Sequence, residues 1–277
     1  RPVPDNVILV SEKEAISQLD EGAIDLLIAH NIKDLVNVYE YSIPKILVFH
    51  NKLTTEIKLG RNKVNRDDYL IQINPLLKDV KKVFISESKR RDWGLEGDVI
   101  LPGIDVTDYG GYSGDNSSIL RVGNLIKERD IMMGFTTSES ILKDLPSHTL
   151  GMNPTIIESR LSSGFDDLLA HYRSFRAYLH TTSNNYEDGY NLALLEAMAV
   201  GMPVLSIANN TSPIKNGING YISDDIQYLR SCALKLLDNR KLAYSLGQKA
   251  RETVRDKFSQ IKFLQLWVKS IEATIIE

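Results

Sequence analysis

Two carboxylates and a predicted helix start stand close together in the segment 188–205, DGYNLALLEAMAVGMPVL. Asp188 and Gly189 come first, and an apolar run rich in Ala and Leu follows, with Glu196 in its middle. The run predicts a helix that ends at Gly201, because glycine readily adopts the left-handed conformation found at helix C-termini. An acid inside an apolar helix is costly to bury without a partner. A polar ligand at this helix is one explanation for Glu196.

The start of the predicted helix is suited to a diphosphate. The backbone N–H groups of Tyr190, Asn191 and Leu192 lie there, and the helix dipole adds partial positive charge. Asp188 precedes the helix and is placed to accept hydrogen bonds from sugar hydroxyls. Glu196 lies about 12 Å further along the axis if the whole stretch is helical, so it can reach the ribose of the same nucleotide. The alternative is a core helix in which Glu196 caps a neighbouring loop.

The same segment resembles the donor-site signature of the retaining group 1 (family 4) glycosyltransferases of GT-B fold. Their usual pattern is E-G-F-G-x-x-x-x-E-A-M-A-x-G-x-P-V, and its second half matches 196–204 without a break. In the first half Asn191 replaces the second Gly, and Glu187 stands one place early as an alternative first acid. The acid, glycine and aromatic positions are taken by Asp188, Gly189 and Tyr190.

The resemblance extends along most of the chain. Residues 101–105 (LPGID) resemble the linker between the two domains of the family, and residues 121–126 (RVGNLI) resemble the strand that opens the second domain. Residues 219–221 (NGY) resemble the turn after the donor helix. The resemblance implies an α/β protein of GT-B fold: two Rossmann-like domains with parallel sheets, an interdomain cleft, and a C-terminal helix that crosses back to the first domain.

A departing nucleoside diphosphate needs cations to neutralise its charge, and the resemblance implies where they stand. The family supplies an Arg and a Lys in the pattern G-R-x-x-x-x-K. Here Gly123 keeps the glycine, Asn124 stands at the Arg position and Arg129 stands at the Lys position. One of the two cations is therefore lost, and Lys127 and Arg121 are the candidates to replace it.

Two histidines end neighbouring apolar strands in the first half of the chain. His30 ends LLIAH, and His50 ends ILVFH. Ligands of α/β proteins bind beyond the carboxyl ends of the strands, so both positions are candidates for a site. The resemblance implies that His50 contacts the donor sugar; the alternative for each is a structural histidine.

Composition argues against several classes of function. The 277 residues carry a net charge of −3, which offers no electrostatic case for binding nucleic acid. A single cysteine, Cys232, cannot form an internal disulfide, and no apolar run reaches the ~18 residues of a membrane span. We therefore expect a cytoplasmic protein, with peripheral contact at the inner face of a membrane left open. The family generally works without a bound metal, and no cofactor is expected besides the donor.

Strand-like and helix-like segments alternate, which predicts parallel sheets covered by helices. We expect an N-terminal, acceptor-side domain over 1–107, a nucleotide-sugar-binding domain over 108–258, and a crossover helix over 259–277. Nothing matches the Gly-rich loop with which the family begins, so we expect either a truncated chain or a trimmed acceptor side. The predicted strands are 7–10, 25–30, 45–50, 82–86, 98–101, 118–122, 148–150, 177–180 and 203–207. The predicted helices are 12–19, 33–41, 68–77, 137–145, 165–174, 190–200, 225–237, 240–258 and 260–276.

The resemblance implies a glycosyltransferase that moves a sugar with retention from a nucleotide-sugar donor, UDP- or GDP-linked, to an acceptor hydroxyl. Glycan, polysaccharide and glycolipid synthesis are the expected settings, and the acceptor is left open among glycan, lipid and small molecule. His50, Asp188 and Arg129 are the expected catalytic residues, and Glu196 is expected to hold the ribose. The main alternative is a non-catalytic nucleotide-sugar-binding subunit, which Asn124 favours. A glycoside hydrolase and a sugar-nucleotide epimerase are further alternatives.

Overall fold

The computed structural model describes residues 3–60 and 64–276. The chain divides into two compact units, of which unit 1 comprises residues 1–101 and 262–277 and unit 2 comprises residues 102–261. The sequence prediction placed the borders at 107/108 and 258/259; its first domain includes residues 1–2 and 61–63, which lie outside the described residues. Within the described part of the chain, every helix is too short or too polar to cross a membrane.

Each unit contains one sheet, and all strand pairs in both sheets are parallel. In unit 1 the strand order is β1-β2-β3-β4, and in unit 2 it is β6-β5-β7-β8-β9. The strands of unit 1 are β1 Leu27–Ala29, β2 Lys45–Phe49, β3 Lys81–Phe84 and β4 Asp98–Val99. The strands of unit 2 are β5 Asn116–Val122, β6 Ser147–Leu150, β7 Phe175–His180, β8 Val204–Ser206 and β9 Gly220–Ile222.

Helices fill most of the connections between these strands, which confirms the predicted α/β class. Those that precede or connect the strands of unit 1 are α1 Glu12–Asp20, α2 Ile32–Asn37, α3 Leu53–Leu59, α4 Arg66–Leu77 and α5 Glu87–Trp93. In unit 2 they are α6 Asp130–Met133, α7 Phe135–Leu142, α8 Phe165–Ser174, α9 Leu192–Val200, α10 Ile226–Asp238 and α11 Arg240–Lys257. The last helix is α12 Gln260–Ile276.

Strand β2 is buried along its whole length, and its two faces pack against different helices. Alternate residues of a strand point to opposite faces, so Leu47 and Phe49 join a core with helix residues that include Leu53 and Trp93. The other face packs against α12, which therefore completes the core of unit 1. The residues of this second contact are Ile46, Val48, Val83 and Ile100 with Phe263, Leu266, Trp267 and Ile271.

The sheet of unit 2 places its switch point at β5. The chain passes from β5 to β6 on one side and returns to β7 on the other side; α/β proteins bind ligands at the carboxyl ends of the strands beside such a reversal. Helix α9 follows β7 and packs against α11. The contact is closest at Gly247, where a Cβ atom would lie 1.8 Å from the carbonyl oxygen of Gly201, so only glycine fits there.

Three expectations about elements were wrong. The predicted strand at 7–10 does not form: these residues have no regular secondary structure, Ile8 is 84% exposed, and no strand pairs with them among the described residues. An apolar run forms a strand only where a neighbouring strand satisfies its backbone groups. Helix α2 ends at Asn37 rather than at residue 41. The short elements α3, α5, α6 and β9 were not predicted, because three to seven residues are too few to show a clear periodicity.

Candidate functional site

The segment 188–205 forms a loop, a helix and a strand at the carboxyl end of the sheet in unit 2. Helix α9 begins at Leu192, two residues later than predicted, and its N-cap is Asn191, whose side chain accepts a hydrogen bond from the N–H of Leu194 at 2.9 Å. The helix ends at Gly201 in the left-handed conformation, with a φ of 99°, as predicted. The N–H groups of a helix's first turn have no acceptor within the helix, so this end is chemically suited to an anion.

A buried chain of hydrogen bonds holds the loop that precedes α9. His180 ends β7, and its Nε2 lies 2.8 Å from Oγ1 of Thr182. That hydroxyl donates to the backbone carbonyl of Asp188 at 2.7 Å, which uses its single proton. The hydroxyl must therefore accept from the Nε2–H of His180. Burial lowers the pKa of His180 to about 4, so the imidazole is neutral near pH 7 and serves as a structural donor.

The two candidate acids of the loop differ in burial. Asp188 is 1% exposed, and its backbone N–H donates to Oε1 of the partly exposed Glu187 at 2.8 Å. Gly189 follows, and its N–H donates to Oγ1 of Thr211 at 2.7 Å. A Cβ atom on Gly189 would lie 2.8 Å from the backbone of Ser212, so this position requires glycine. Because Glu187 is more exposed than Asp188, it is the better candidate of the two acids for contact with a ligand.

Glu196 is held by two tyrosines of unit 2. Its carboxylate accepts hydrogen bonds from the hydroxyls of Tyr109 at 3.0 Å and Tyr172 at 3.5 Å. Burial, and after it the neighbouring Tyr178 and then the charge of Glu196, raises the pKa of Tyr172 well above its usual value. These bonds explain how an acid is accommodated in an apolar helix without a ligand. A carboxylate has about four lone-pair sites, so the two tyrosine bonds do not by themselves exclude the predicted contact with a ribose.

The expected offset of about 12 Å between the two acids assumed that all of 188–196 is helical. The structure corrects this assumption, because Asp188 lies in the loop and α9 begins only at Leu192. Tyr190, the aromatic position of the motif, is buried with its ring centroid 5.1 Å from that of Phe258. This aromatic contact anchors the loop to the end of α11.

The loop after β5 is bound to the loop after β6. The N–H of Gly123 donates to the carbonyl of Leu150 at 2.9 Å, and the side-chain oxygen of Asn124 accepts from the N–H of Met152 at 2.9 Å. Leu125 adopts a φ of 52° in this loop, a conformation that is uncommon for a residue other than glycine. Asn124 therefore has a structural contact that an Arg at its position would not make in the same way.

Three cations lie near this loop in the sequence, and each has different side-chain contacts. Arg129 precedes α6 and is partly exposed, with its guanidinium 3.5 Å from the sulfur of Met132. Lys127 lies over the ring of Phe135, with Nζ 5.9 Å from the ring centroid. Arg121 is buried and bonded to Glu139 at 2.6 Å, so it is not available to a phosphate. Of these three cations, Arg129 and Lys127 therefore stay the candidates for a phosphate contact.

Unit 1 brings the two predicted histidines together. Nδ1 of His30 lies 2.9 Å from Nε2 of His50, and the rings stack with centroids 5.2 Å apart. Partial burial lowers the pKa of His50, and the charges of His30 and Lys89 lower it further. Both histidines line a cavity of about 380 Å³ in unit 1. Its other lining residues include Lys33, Phe49, Tyr69 and Trp93.

Sequence reasoning missed the residues that support the loop and the helix. His180 ends an apolar run, AYLH, just as His30 and His50 do, so its pattern was visible but its buried role was not. Tyr109 and Tyr172 come from separate segments, 87 and 24 residues before Glu196. No local pattern links tyrosines so distant to an acid in a helix.

Comparison with known proteins bears on the part of unit 2 just described. Residues 126–239 match the family model described as Glycosyl transferases group 1. The chain is 32% identical over 91 residues to the poly(ribitol-phosphate) alpha-N-acetylglucosaminyltransferase of Staphylococcus aureus (strain COL), over 31% of this chain and 18% of that protein. It is 32% identical over 82 residues to the N-acetyl-alpha-D-glucosaminyl L-malate synthase of Bacillus anthracis, over 28% of this chain and 22% of that protein.

Solved structures share the fold of the chain. A TarM variant of Staphylococcus aureus, in complex with fondaparinux, alpha-GlcNAc-glycerol and UDP, has a TM-score of 0.68 at 18% identity, and the match covers 88% of this chain and 55% of that one. HepE of Anabaena in complex with UDP-glucose has a TM-score of 0.73 at 14% identity and covers 94% of this chain and 81% of that one. This chain thus spans about half the length of TarM. The match to the group 1 glycosyltransferases thus covers residues 126–239 of the chain, and the solved structures show that the chain has the GT-B fold.

Proposed function

We propose that the protein transfers a sugar, with retention, from a nucleotide-sugar donor to an acceptor hydroxyl. The observation that carries the proposal is the capped start of α9 beside the switch point of unit 2, held by His180 and Thr182. A helix start at this place suits a diphosphate, because N–H groups of its first turn other than that of Leu194 have no acceptor within the helix. The matched family segment, 126–239, includes this loop and helix.

The proposed roles follow the chemistry of each group. The first N–H groups of α9 and the guanidinium of Arg129 hold the diphosphate, which gains charge as it leaves. Glu196 accepts hydrogen bonds from the ribose. Asp188 or Glu187 holds the donor sugar, and the sugar contact that the motif implies for His50 stays a prediction. Each of these roles is a proposal that rests on the motif and on the local geometry.

A UDP-sugar is the donor we favour over a GDP-sugar. The TarM and HepE structures contain UDP or UDP-glucose, and both curated relatives are named for an N-acetylglucosaminyl group. UDP-N-acetylglucosamine is therefore the first donor to test. A glycan or another polyhydroxylated acceptor is favoured, because the TarM structure also contains fondaparinux and alpha-GlcNAc-glycerol.

Retention is proposed to proceed on one face of the sugar. The bond between the anomeric carbon and the phosphate oxygen breaks, and the acceptor oxygen bonds to the anomeric carbon on the same side. The acceptor proton passes to the leaving phosphate, so no protein nucleophile is needed. Because Arg129 and the helix start supply the positive charge, we propose that turnover needs no divalent metal; activity in a strong chelator tests this part.

A non-catalytic nucleotide-sugar-binding subunit is the second candidate. The observation that favours it is Asn124, which stands where the family has an arginine and whose side chain is engaged by the N–H of Met152. This candidate predicts nucleotide binding without turnover. Release of UDP in the presence of glycan acceptors separates it from the transferase.

A ligand screen tests the proposal directly. Thermal unfolding is measured with UDP, UDP-N-acetylglucosamine, UDP-glucose and GDP-mannose. A ligand at about 100 times its dissociation constant adds about 2.7 kcal/mol to the free energy of unfolding, which is a clear shift in melting temperature. We expect stabilisation by UDP and by at least one UDP-sugar. If no nucleotide shifts the melting temperature, the proposed donor site is wrong.

Two substitutions then separate the ribose contact from the sugar contact. Glu196→Ala should weaken UDP binding by about 1.5–3 kcal/mol, the range for hydrogen bonds to a charged group; Tyr172→Phe is the control, since it removes a support of Glu196 but leaves its charge. Asp188→Asn should reduce affinity for the intact donor and leave UDP affinity unchanged. Equal losses for both ligands would transfer the sugar contact from Asp188 to Glu187.

A further inference from the structure

Unit 2 contains a cavity of about 500 Å³ that the proposed donor site does not use. It lies where β7, β8 and β9 end, and its walls are the start of α7 with the turn before it, the loops after β7 and β8, and Asp224 after β9. None of the residues assigned to the donor lines it. Its volume falls in the range of small-molecule sites, about 300–1,000 Å³, and its place at the carboxyl edge of the sheet is one where α/β proteins bind ligands.

The lining has the chemistry of a sugar site. Ile131 and Ile207 form an apolar patch, and no Lys, Arg or His belongs to the lining among the residues described. A phosphate or another anion would find no counter-charge there, whereas a sugar ring offers C–H faces to the apolar patch and hydroxyls to polar neighbours. The polar groups that line the cavity include Thr137, Ser183, Asn185, Asn210 and Asp224.

The walls of the cavity are bonded to one another. Oγ1 of Thr181 donates to the carbonyl of Met133 at 2.8 Å, and the N–H of Ser183 donates to the carbonyl of Met132 at 2.9 Å. These two bonds join the loop after β7 to α6. Walls that are hydrogen-bonded to each other keep the shape of the cavity without a ligand. Such preorganisation lowers the conformational entropy lost on binding.

Asp224 is the strongest acceptor in the lining. Its Oδ1 accepts from the N–H of Ala208 at 3.2 Å, which leaves most of its lone-pair sites for a ligand. The other lining acid, Asp130, uses both oxygens on Thr136, at 2.8 Å from the backbone N–H and 2.5 Å from the hydroxyl. Hydrogen bonds to an ionised carboxylate are the stronger ones, so a sugar hydroxyl is expected at Asp224.

We propose that this cavity binds a neutral sugar residue of a glycan, independently of the nucleotide. The proposal goes beyond the proposed function, because a glycan held here requires neither a nucleotide nor transfer. A second saccharide contact on unit 2 would keep a glycan chain on the protein between binding events. The donor's own sugar is the competing occupant, and the experiment distinguishes the two.

Calorimetric titration of the whole chain with two neutral probes, chitotriose and maltotriose, tests the proposal with and without saturating UDP. We expect at least one probe to bind at millimolar concentration or better, with the same affinity in both conditions. If neither probe binds, the proposal is overturned. It is also overturned if UDP-N-acetylglucosamine displaces the bound probe, because the cavity then belongs to the donor site.

Substitutions locate the bound probe. Asp224→Asn keeps an oxygen for the N–H of Ala208 but loses the charge, and Thr137→Val keeps the shape but loses the hydroxyl. We expect Asp224→Asn to weaken probe binding about tenfold, Thr137→Val to weaken it less, and both to leave UDP affinity unchanged. Asp166→Asn, the same change at an exposed acid of α8 outside the lining, is the matched control. Probe affinity in Asp224→Asn equal to that of the unmodified protein overturns the proposal, whatever the outcome for UDP.

Discussion

Both units place a histidine at the carboxyl end of a buried strand, and the two positions have opposite surroundings. His50 follows β2, is exposed beside His30, and faces a cavity. His180 ends β7, is 4% exposed, and donates through Thr182 to the loop before α9. Burial alone lowers the pKa of His180, whereas neighbouring charges contribute at His50.

The difference shows that position at a strand end does not decide what a histidine does. The same local pattern, an apolar run followed by His, precedes all three rings. A buried ring with one fixed acceptor is a structural donor, and an exposed ring with a second titratable ring beside it is a candidate for ligand contact. Unit 2 therefore builds its candidate site on a buried support, and unit 1 presents its histidines directly.

The largest effect is expected in unit 2, at the close contact of α9 with α11. Gly247→Ala places a Cβ atom against the carbonyl of Gly201, and relief of this clash should lower the free energy of unfolding by about 3 kcal/mol, the upper end of the usual range for overpacking. Gly164→Ala is the control, because nothing lies within 4 Å of its added Cβ. Denaturant unfolding measures both. Equal stability of the two variants would show that α9 is not held by close packing.

The pH dependence of stability tests the buried histidine. The pKa of His180 in the folded protein, about 4, is below the usual histidine value of 6.5, so folding opposes protonation. Its full contribution is present above pH 6.5 and is lost as the pH falls towards 4. At 1.36 kcal/mol per unit of pKa, the loss approaches about 3 kcal/mol.

His180→Gln removes this titration while keeping a side-chain N–H for Thr182. We expect the unfolding free energy of the variant to depend less on pH between 6.5 and 4 than that of the unmodified protein. Chemical unfolding at a series of pH values measures the difference. Parallel curves for the two proteins would mean that His180 is protonated without cost and is not a buried donor.

The next largest effect is expected for UDP binding when Arg129 of unit 2 is replaced. Arg129→Ala should weaken UDP binding by about 2 kcal/mol, as expected when one charge-assisted bond to phosphate is lost. Asn124→Arg should tighten binding and steepen its salt dependence, because the new contact is coulombic. Competition binding at low and high salt measures both changes. If Arg129→Ala binds UDP like the unmodified protein, the phosphate lies elsewhere.

The smallest effect is expected in unit 1, on the pKa of His50 when the neighbouring His30 is replaced. His30→Gln removes a positive charge that lowers the pKa of His50, so the pKa of His50 should rise but stay below its usual value, since partial burial persists. NMR titration of the His50 ring measures the shift, and Lys33→Gln, at the rim of the same cavity, controls for a general loss of charge. An unchanged pKa of His50 in His30→Gln would show that His30 does not influence the protonation of His50.

The sequence predicted the elements whose signals are local. Helix α9 and strand β8 are delimited by Gly201 and Pro203, and α8 begins and ends where its periodicity predicts. The run at 7–10 has the composition of a strand, but strand formation depends on a partner that composition does not reveal. Short elements such as β9 depend on packing rather than on periodicity.

In the candidate site too, the sequence indicated residues in local motifs but not the contacts between distant segments. The acids 187, 188 and 196 and the two exposed histidines were found from sequence, and their roles stay predictions. The tyrosines that hold Glu196 were not found, because Tyr109 lies 87 residues away in the chain. The bond between Asn124 and Met152 was missed for the same reason. Cytoplasmic location and contact with a membrane surface also stay predictions.

The last helix has a consequence for the order of folding. Unit 1 is built from two separated stretches of chain, and α12 covers one face of β2. During synthesis all of unit 2, about 160 residues, leaves the ribosome before α12 does, which takes roughly ten to thirty seconds at ~5–20 residues per second. For that time the nascent chain carries an uncovered apolar sheet face while unit 2 is free to fold. The apolar face of β2 is thus exposed to aggregation until α12 has emerged and packed against it.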